Sequence, residues 1–181
     1  MTDDLLAEAK RALRKVVLAS RVSCGNGHSD QMIAYCKANQ LRTVAAFASF
    51  GEEPGTESFL AWAADQGVRV LLPRIKNDTE LDWHIYNPGH LTVGSLGIAE
   101  PSGQSVALAE AQVVFVPALA VGLDQSRLGR GRGFYDRALA SIEAPLIALV
   151  HENEVFDTVP HEHHDVRVDA VMTCSRTLEL N

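Results

Sequence analysis

The residues best suited to chemistry lie together between positions 127 and 136. Three arginines fall within six residues, at Arg127, Arg130 and Arg132, and glycines flank two of them in the run Gly129-Arg-Gly-Arg-Gly. Glycine lets backbone N–H groups approach a ligand closely, and the arginine fork binds phosphate oxygens in pairs. The spacing fits neither the P-loop pattern nor the G-x-G-x-x-G pattern. We interpret this run as a phosphate-binding loop, with a solvated, flexible arginine turn as the alternative.

An acidic residue, Asp136, follows this loop in the first turn of a predicted helix. Two roles for its carboxylate are open. It can favour the positive end of the helix dipole, or it can hold Mg²⁺ beside bound phosphates, because magnesium usually takes one or two carboxylates together with phosphate oxygens. The first N–H groups of the same helix would add to an anion site.

The composition of the chain limits the classes of function. Its 181 residues are 46% apolar and 22% charged, which indicates one globular domain. Lysine and arginine number 16 against 23 acidic residues, so the net charge of −7 argues against nucleic acid and anionic membranes as partners. We therefore expect small-molecule partners and a monomer.

Targeting signals and cysteine usage favour a cytoplasmic setting. The amino terminus lacks the basic and apolar regions of a secretion signal. The longest apolar run, 113–123, is well short of the roughly 20 residues that a membrane helix needs. Cys24, Cys36 and Cys174 form no C-x-x-C pair, so we expect neither a disulfide framework nor a zinc site. The protein should be soluble and cytoplasmic.

Alternating helix and strand patterns must position the phosphate-binding loop. Apolar residues at helical spacing predict helices over 2–21, 28–39, 56–66, 105–111 and 134–142. Short apolar runs predict buried strands over 43–48, 68–72, 113–116, 146–150 and 168–172. The alternating segment 80–86 predicts an edge strand, and 87–104 predicts a loop. This order predicts a single three-layer α/β/α domain over residues 1–181, with a mostly parallel central sheet.

The loop and its surroundings resemble the signature of the 5-formyltetrahydrofolate cyclo-ligases, also called 5,10-methenyltetrahydrofolate synthetases. The match comprises Pro117, Leu119, Arg127-Leu-Gly, Gly131, Gly133 and Tyr135-Asp-Arg. Similarity extends over nearly the whole chain, including the amino-terminal helix and the loop 50–56. The resemblance implies the cyclo-ligase, NagB-RpiA-like fold. It also implies an ATP- and Mg²⁺-dependent ligase that converts 5-formyltetrahydrofolate to 5,10-methenyltetrahydrofolate, ADP and phosphate.

The resemblance further implies which residues do what. Those expected to bind ATP are Lys10, Arg11, Arg14, Arg127, Gly129, Arg130, Gly131, Arg132, Gly133, Phe134 and Tyr135. Arg132, nearest the transferred phosphate, is the expected catalytic residue. Phe50, Glu53 and Tyr135 are expected to bind the folate, and Asp136 and Asp169 to bind Mg²⁺. For Lys10 and Arg14 the alternative is a solvated helix face. A carboxylate in an apolar strand, such as Asp169, is costly unless it is paired or metal-bound.

Three positions depart from the family pattern. Gly122 stands where the family usually has Asp, Gln125 where it has Gly, and Gly55 where it has a polar or acidic residue. The loop 121–126 is expected to bring Asp124 near the missing carboxylate, with the alternative that slippage by one residue changes the direction of its side chain. Two alternatives therefore stay open: a non-catalytic homologue that binds nucleotide or folate, and an ATP-dependent enzyme on the same scaffold with another formyl or amide substrate.

Two sites outside the signature, the run 161–165 and His151, contain histidines that are candidate site residues. The run His161-Glu-His-His-Asp165 is interpreted as a polar loop after Pro160, with a metal cluster as the alternative. His151 follows a predicted strand at the edge where α/β sheets bind ligands, so it is a candidate pocket residue.

Overall fold

A computed structural model describes residues 3–22, 24–94 and 96–181. Its α-helices are α1 (Asp3–Ser20), α2 (Gly27–Ala38), α3 (Glu57–Asp65) and α4 (Phe134–Leu139). Its strands are β1 (Thr43–Ala45), β2 (Arg69–Lys76), β3 (Glu80–Ile85), β4 (Leu91–Val93), β5 (Ala99–Pro101), β6 (Ser105–Val106), β7 (Val114–Pro117), β8 (Ala120–Gly122), β9 (Arg127–Leu128), β10 (Leu146–Leu149), β11 (Val155–Phe156), β12 (Ala170–Met172) and β13 (Thr177–Glu179). Short 3₁₀ turns span Leu108–Glu110 and Glu152–Glu154.

The central sheet runs through the middle of the molecule. Within the described residues it has eight strands, in the order β13-β12-β10-β7-β1-β2-β3-β6. The strands from β12 to β2 pair in parallel, whereas β13, β3 and β6 pair antiparallel at the two edges. The predicted mostly parallel sheet is therefore confirmed. The strand predicted over 80–86 is found as β3, but it is not at the edge of the sheet, because β6 pairs along its outer side.

Alternation along the strands divides the core between the two faces of this sheet. Phe115 faces a cluster with residues of α2 and α3, including Met32 and Phe59, whereas Val114 and Val116 face the opposite cluster. The opposite cluster contains Leu139 of α4. Successive strand side chains point to opposite faces, so a run that is apolar throughout is buried on both sides. The three predicted layers follow from this pattern.

Helix α1 packs beside the sheet rather than on either face. Val17 and the partly buried Leu13 contact Leu119 and Leu128, which belong to the segment around the small sheet β11-β8-β9. The helix therefore lies across the chain segment that leads into the glycine and arginine loop. Among the described residues, no helix has the length and apolarity needed to cross a lipid bilayer.

Several short elements differ from the predictions. The predicted helix over 105–111 is wrong: Ser105–Val106 pairs with β3, and a 3₁₀ turn follows at Leu108–Glu110. The predicted loop 87–104 contains the hairpin β4-β5, and the loop after β8 is a hairpin closed by β9. The pairing of Val106 with Trp83 in β3 outweighs the helical propensity of an alanine-rich segment.

Candidate active site

A cavity of about 640 Å³ opens at the carboxyl edge of the parallel strands. Pro117 at the end of β7 and Phe47 after β1 lie at its base. Ligands of open α/β sheets bind at this edge. One wall is basic and comes from α1, the loop 127–133 and α4. Another wall is apolar and comes from β2, β3 and the β4-β5 hairpin, with Pro73, Ile75, Leu81, Leu96 and Ile98.

Arg127 is held rigidly at the start of the glycine-rich loop. Its side chain is 2% exposed, and its guanidinium contacts the Asp136 carboxylate at 2.5 Å. The Pro117 carbonyl lies 3.5 Å from Nη1, and Nε has no hydrogen-bond partner among the described residues. Removal of one partner from a buried ion pair of this kind leaves the other charge uncompensated. Arg127 therefore positions the loop, and its Nε–H donates to no acceptor among the described residues.

Arg14 joins α1 to the same loop. Its Nε donates to the Gly129 carbonyl at 2.9 Å. Gly131 has a φ of +97°, and a Cβ there would lie 3.2 Å from the Arg14 guanidinium carbon. Glycine therefore serves two needs at position 131, a left-handed backbone and close approach of an arginine. The predicted solvated helix face does not describe Arg14, which lines the cavity.

An ion pair crosses the mouth of the cavity. Arg130 Nε donates to Glu53 Oε1 at 2.9 Å, and the other carboxylate oxygen of Glu53 accepts from the Phe50 N–H at 3.0 Å. Glu53 is largely buried at this point, whereas Arg130 is half exposed. The pair ties the glycine-rich loop to the segment that the resemblance assigns to the folate.

Arg132 differs from its neighbours because no carboxylate holds it. Among the described residues, its guanidinium contacts only the Phe134 ring, 6.0 Å from the centroid, while its side chain lines the cavity. Tyr135 also lines the cavity and packs edge-on against Trp83 at 6.4 Å. Burial raises the pKa of the Tyr135 hydroxyl, so the phenol stays neutral.

Lys10 enters the cavity from α1 and carries two carboxylate partners. Its ammonium lies 2.6 Å from Asp165 and 2.8 Å from Glu162. Burial alone would lower the pKa of Lys10, but these two partners outweigh it and the pKa is raised. Burial would likewise raise the pKa of Asp165, yet the hydrogen bond from Lys10 leaves it lowered. Both groups are therefore charged at neutral pH.

Asp136 offers an oxygen to the cavity. Its Oδ1 accepts both the Arg127 guanidinium and the Val166 N–H, the latter at 3.2 Å. The other oxygen, Oδ2, has no hydrogen-bond partner in the part of the chain that the structure describes. A carboxylate oxygen beside the basic wall of the cavity is the kind of ligand that Mg²⁺ prefers. The helix that follows, α4, is only six residues long, so its dipole adds less than the sequence led us to expect.

The cavity omits three of the predicted site residues. Arg11 is exposed on α1, outside the cavity lining, and Phe50 is 47% exposed beside Glu53. Asp169 lies at the amino end of β12, where its carboxylate accepts the Leu146 N–H at 2.8 Å. Its side chain is exposed, so the argument from the cost of burying a carboxylate does not apply. The geometry does not support these three as ligands of a molecule in the cavity.

Other lining residues were missed in the sequence. The run 161–165, interpreted as a polar loop, contributes Glu162, His164 and Asp165 to the cavity wall. Their ligand atoms lie within 4.8 Å of one another, but both carboxylates already form ion pairs with Lys10. The unusual density of charged residues in this run was the available signal. His151 lies outside the cavity lining.

The departures from the family pattern have local explanations. A Cβ at Gly122 would clash with the Asp124 carboxylate, which accepts from Ser126 and Thr158 in the turn between β8 and β9. The Asp124 carboxylate therefore lies next to the place that a side chain at position 122 would occupy, as expected, and any role for it in ligand binding stays a prediction. Gly55 lies outside the cavity lining, and its carbonyl accepts from Ser29 at 2.9 Å.

Comparison with known proteins settles which family has this arrangement. The model of the 5-formyltetrahydrofolate cyclo-ligase family matches residues 3–174. The chain belongs to this family. It is therefore an enzyme, a ligase, and the resemblance of the loop 127–137 is confirmed by a match that spans the whole fold.

Individual relatives agree with this membership. A 5-formyltetrahydrofolate cyclo-ligase of Mycolicibacterium smegmatis is 42% identical over 184 residues, covering 93% of this chain and 95% of its own. The Escherichia coli K12 cyclo-ligase is 29% identical and covers 86% of this chain and 90% of its own. The cyclo-ligase chain is thus matched over nearly its full length, rather than through one shared motif.

Solved structures share the fold. The 5,10-methenyltetrahydrofolate synthetase of Aquifex aeolicus superimposes with a TM-score of 0.81 at 26% identity, covering 94% of this chain and 92% of that one. The synthetase of Mycoplasma pneumoniae gives a TM-score of 0.73 at 20% identity, covering 90% and 96%. The predicted cyclo-ligase fold is confirmed, and the roles of single residues within it stay predictions.

Proposed function

We propose that this cyclo-ligase converts 5-formyltetrahydrofolate to 5,10-methenyltetrahydrofolate and couples the reaction to the cleavage of ATP to ADP and phosphate. The observation that carries the proposal is the division of one cavity into two chemically different walls. Arg14, Arg127 and the loop 129–133 form a basic wall, and an apolar wall faces it beside the carboxylate of Glu53. The first suits a polyphosphate and the second a heteroaromatic ring.

The basic wall supports the binding of ATP. Arg14 and Arg127 each keep guanidinium N–H groups beyond those used for the loop and for Asp136. Lys10 uses two of its three ammonium protons on Glu162 and Asp165, which leaves one donor for a phosphate oxygen. Backbone N–H groups between Gly129 and Gly133 complete a surface with many donors.

The opposite wall supports the binding of the folate. Glu53 is fixed by Arg130 and by the Phe50 N–H, so its carboxylate is already oriented before a ligand arrives. An ionised carboxylate has about four acceptor positions, and two stay open for N–H groups of a pterin ring. Tyr135 and Leu81 supply apolar surface for the flat ring.

The chemistry follows from the poor leaving ability of a formyl oxygen. Transfer of the γ-phosphoryl group of ATP to that oxygen breaks the β,γ-anhydride bond, releases ADP and leaves a phosphate ester on the formyl carbon. The N10 amine of the folate attacks this carbon, the C–O bond breaks, and phosphate departs with the bonding pair. N10 loses its proton, and the carbon bridges N5 and N10. Phosphoryl transfer asks the protein for positioning and charge stabilisation, so no side-chain nucleophile is needed.

The residues fit magnesium as the cation of this reaction. The open Oδ2 of Asp136 is a suitable ligand, and Asp169 at the far edge of the sheet is not. When bound, Mg²⁺ would neutralise charge on the phosphate oxygens. The ion pair with Arg127 holds the Asp136 carboxylate in place beside the cavity.

Arg132 is the residue that we propose to stabilise the transferred phosphoryl group. It lines the cavity and is not paired with a carboxylate, so its guanidinium is free to follow the charge that develops on the phosphate oxygens. In Arg132→Ala we expect kcat to fall roughly 100- to 1,000-fold with little change in thermal stability. Arg132→Lys, which keeps the charge but not the planar fork, should fall in between.

A matched control is Arg42→Ala, since Arg42 is exposed next to the amino end of β1. Its kcat should equal that of the wild type. If Arg132→Ala keeps kcat within twofold of the wild type while Arg42→Ala behaves as expected, the role proposed for Arg132 is wrong.

A further inference from the structure

A second group of ligand-type side chains lies at the carboxyl edge of the sheet, outside the cavity lining. His151 is two residues after the end of β10, His28 is in the first turn of α2, and Cys24 precedes that helix. One ligand atom from each of the three residues lies within 4.8 Å of the others. Cys24 and His28 are four residues apart, whereas His151 is more than 120 residues away, so the fold brings it to the other two.

His28 is oriented by the backbone in the manner of a metal ligand. Its ring is fully buried, and Nε2 lies 2.8 Å from the Val150 carbonyl, an acceptor that requires the proton to be on Nε2. The Nδ1 lone pair then faces the Cys24 sulfur at 3.4 Å. Histidines that bind metals commonly donate their second N–H to a backbone carbonyl, which fixes the tautomer.

His151 has the same arrangement and one orphan nitrogen. Its Nε2 lies 3.0 Å from the Glu52 carbonyl, so this nitrogen too carries the proton. The residue is 4% exposed, and its Nδ1 has no hydrogen-bond partner among the described residues. A buried nitrogen lone pair without a partner is costly, and a bound cation would satisfy it.

We propose that Cys24, His28 and His151 form a binding site for a divalent transition-metal ion of the zinc type. A thiolate and two imidazoles are the donors that Zn²⁺ and Co²⁺ prefer, whereas Mg²⁺ prefers oxygen. The site is therefore distinct in chemistry and place from the magnesium position at Asp136. Three protein ligands leave one tetrahedral position, which solvent fills.

The surroundings suit such an ion. Cys24 is exposed, which gives a metal access to the buried imidazoles. The Glu152 carboxylate lies on the same side, where it accepts from Thr173 at 2.6 Å and from Ser175, and it adds negative charge near the thiol.

The test is titration of the chelator-treated, fully reduced protein with Co²⁺ and then Zn²⁺. We expect one Co²⁺ per chain, with a sulfur-to-cobalt charge-transfer band and the strong visible bands of tetrahedral cobalt, both displaced by Zn²⁺. Cys24→Ser should abolish the charge-transfer band, and His151→Gln should weaken Zn²⁺ binding at least tenfold. Circular dichroism of each metal-free variant checks its fold, and Cys24→Ser, at an exposed position, carries the test if His151→Gln does not fold.

Two controls separate this site from other donors. Cys36→Ser changes a cysteine buried in the core, and the double variant His163→Gln, His164→Gln changes the exposed histidine run; both should bind as the wild type does. Absence of Co²⁺ binding, binding that survives in Cys24→Ser with its charge-transfer band, or binding lost in the histidine-run variant would overturn the proposal.

Discussion

The charged side chains around the cavity differ in how far the protein itself already holds them. Arg127 is bound to Asp136 and Arg130 to Glu53, so their guanidinium groups position the loop as well as any ligand. Arg132 has no carboxylate partner in the described structure and keeps its donors for a ligand. Residue type alone, which is the same for all three, does not distinguish these roles.

The Lys10 ion pairs predict a stability effect that depends on pH. The lowered pKa of Asp165 stabilises the folded state above the ordinary carboxyl pKa of 3.8, and this contribution is lost as the pH falls through the lowered value. The raised pKa of Lys10 contributes fully below 10.5 and is lost as the pH rises through the raised value. We expect Lys10→Met to cost about 1–2 kcal/mol at pH 7 and clearly less below pH 4.

Urea unfolding of wild type and Lys10→Met at both pH values measures this difference. Lys15→Met, an exposed position on the same helix, should cost little at either pH. An equal loss for Lys10→Met at pH 7 and below pH 4 would mean that the lysine stem, not its charge, stabilises the fold.

Gln125 has a backbone conformation that favours glycine. Its φ is +73°, in the left-handed region, at the end of the turn between β8 and β9. Its side chain makes one weak contact, 3.4 Å from Nε2 to the Leu180 carbonyl. Gln125→Gly should therefore raise the free energy of unfolding by up to about 1 kcal/mol, equivalent to a Tm increase of roughly 2–4 °C.

Differential scanning calorimetry checks this expectation. The control is Gln66→Gly, where φ is −88° and no such gain is available. A Tm that is unchanged or lower in Gln125→Gly would show that the amide contact outweighs the backbone strain.

At the scale of elements, one buried ion pair attaches the end of α1 to the sheet. Arg21 and Glu154 are each 1% exposed and lie 2.7 Å apart, and Arg21 also donates to the Ala118 carbonyl at 2.7 Å. The second carboxylate oxygen of Glu154 accepts the backbone N–H of His151 at 2.8 Å. The pair links α1, the segment after β7 and the turn after β10.

Removal of one charge from this pair should be costly. In Glu154→Gln the Arg21 charge is left uncompensated in a dry environment, and we expect a loss of about 2–4 kcal/mol in the free energy of unfolding. Glu110→Gln, in the exposed pair with Arg69, should cost less than about 1 kcal/mol. Chemical denaturation of both variants gives the comparison, and similar losses in the two would refute the special role of the buried pair.

The sequence predicted those elements whose residues carry a period. The helix over 2–21 and the buried strands were recognisable because apolar residues recur along them or fill them. Strands such as β8, β9, β11 and β13 have two or three residues, too few to show alternation. The pairing of β8 with β11 also joins segments that are distant in sequence. Whether such short segments become strands depends on their pairing in the tertiary structure, which the sequence pattern does not reveal.

The same limit applies to the candidate site. The loop 127–136 was predictable because its donors are contiguous and its residue types match one chemistry. Glu162 and Asp165 were missed because their role depends on Lys10, more than 150 residues away. For Asp169 the strand was identified correctly, but the magnesium role came from the resemblance alone. The structure puts this carboxylate at the amino end of the strand, where it accepts the Leu146 N–H outside the cavity.

At the scale of the whole molecule, the account rests on one cavity between α1, the sheet edge and the glycine-rich loop. Under the proposed function, the arginines of the basic wall bind the polyphosphate of ATP and the apolar wall binds the reduced folate. If the protein bound only one of these two substrates, one of the two walls would have no ligand. A requirement for both substrates is thus the most direct consequence of the geometry.

The measurement that tests this consequence most directly is absorbance in the 5,10-methenyltetrahydrofolate band, with purified protein and 5-formyltetrahydrofolate. The account predicts a rise that needs both ATP and Mg²⁺, one ADP released per methenyltetrahydrofolate formed, and little rise when either is omitted. No rise with both present, or a rise that does not need ATP, would contradict it.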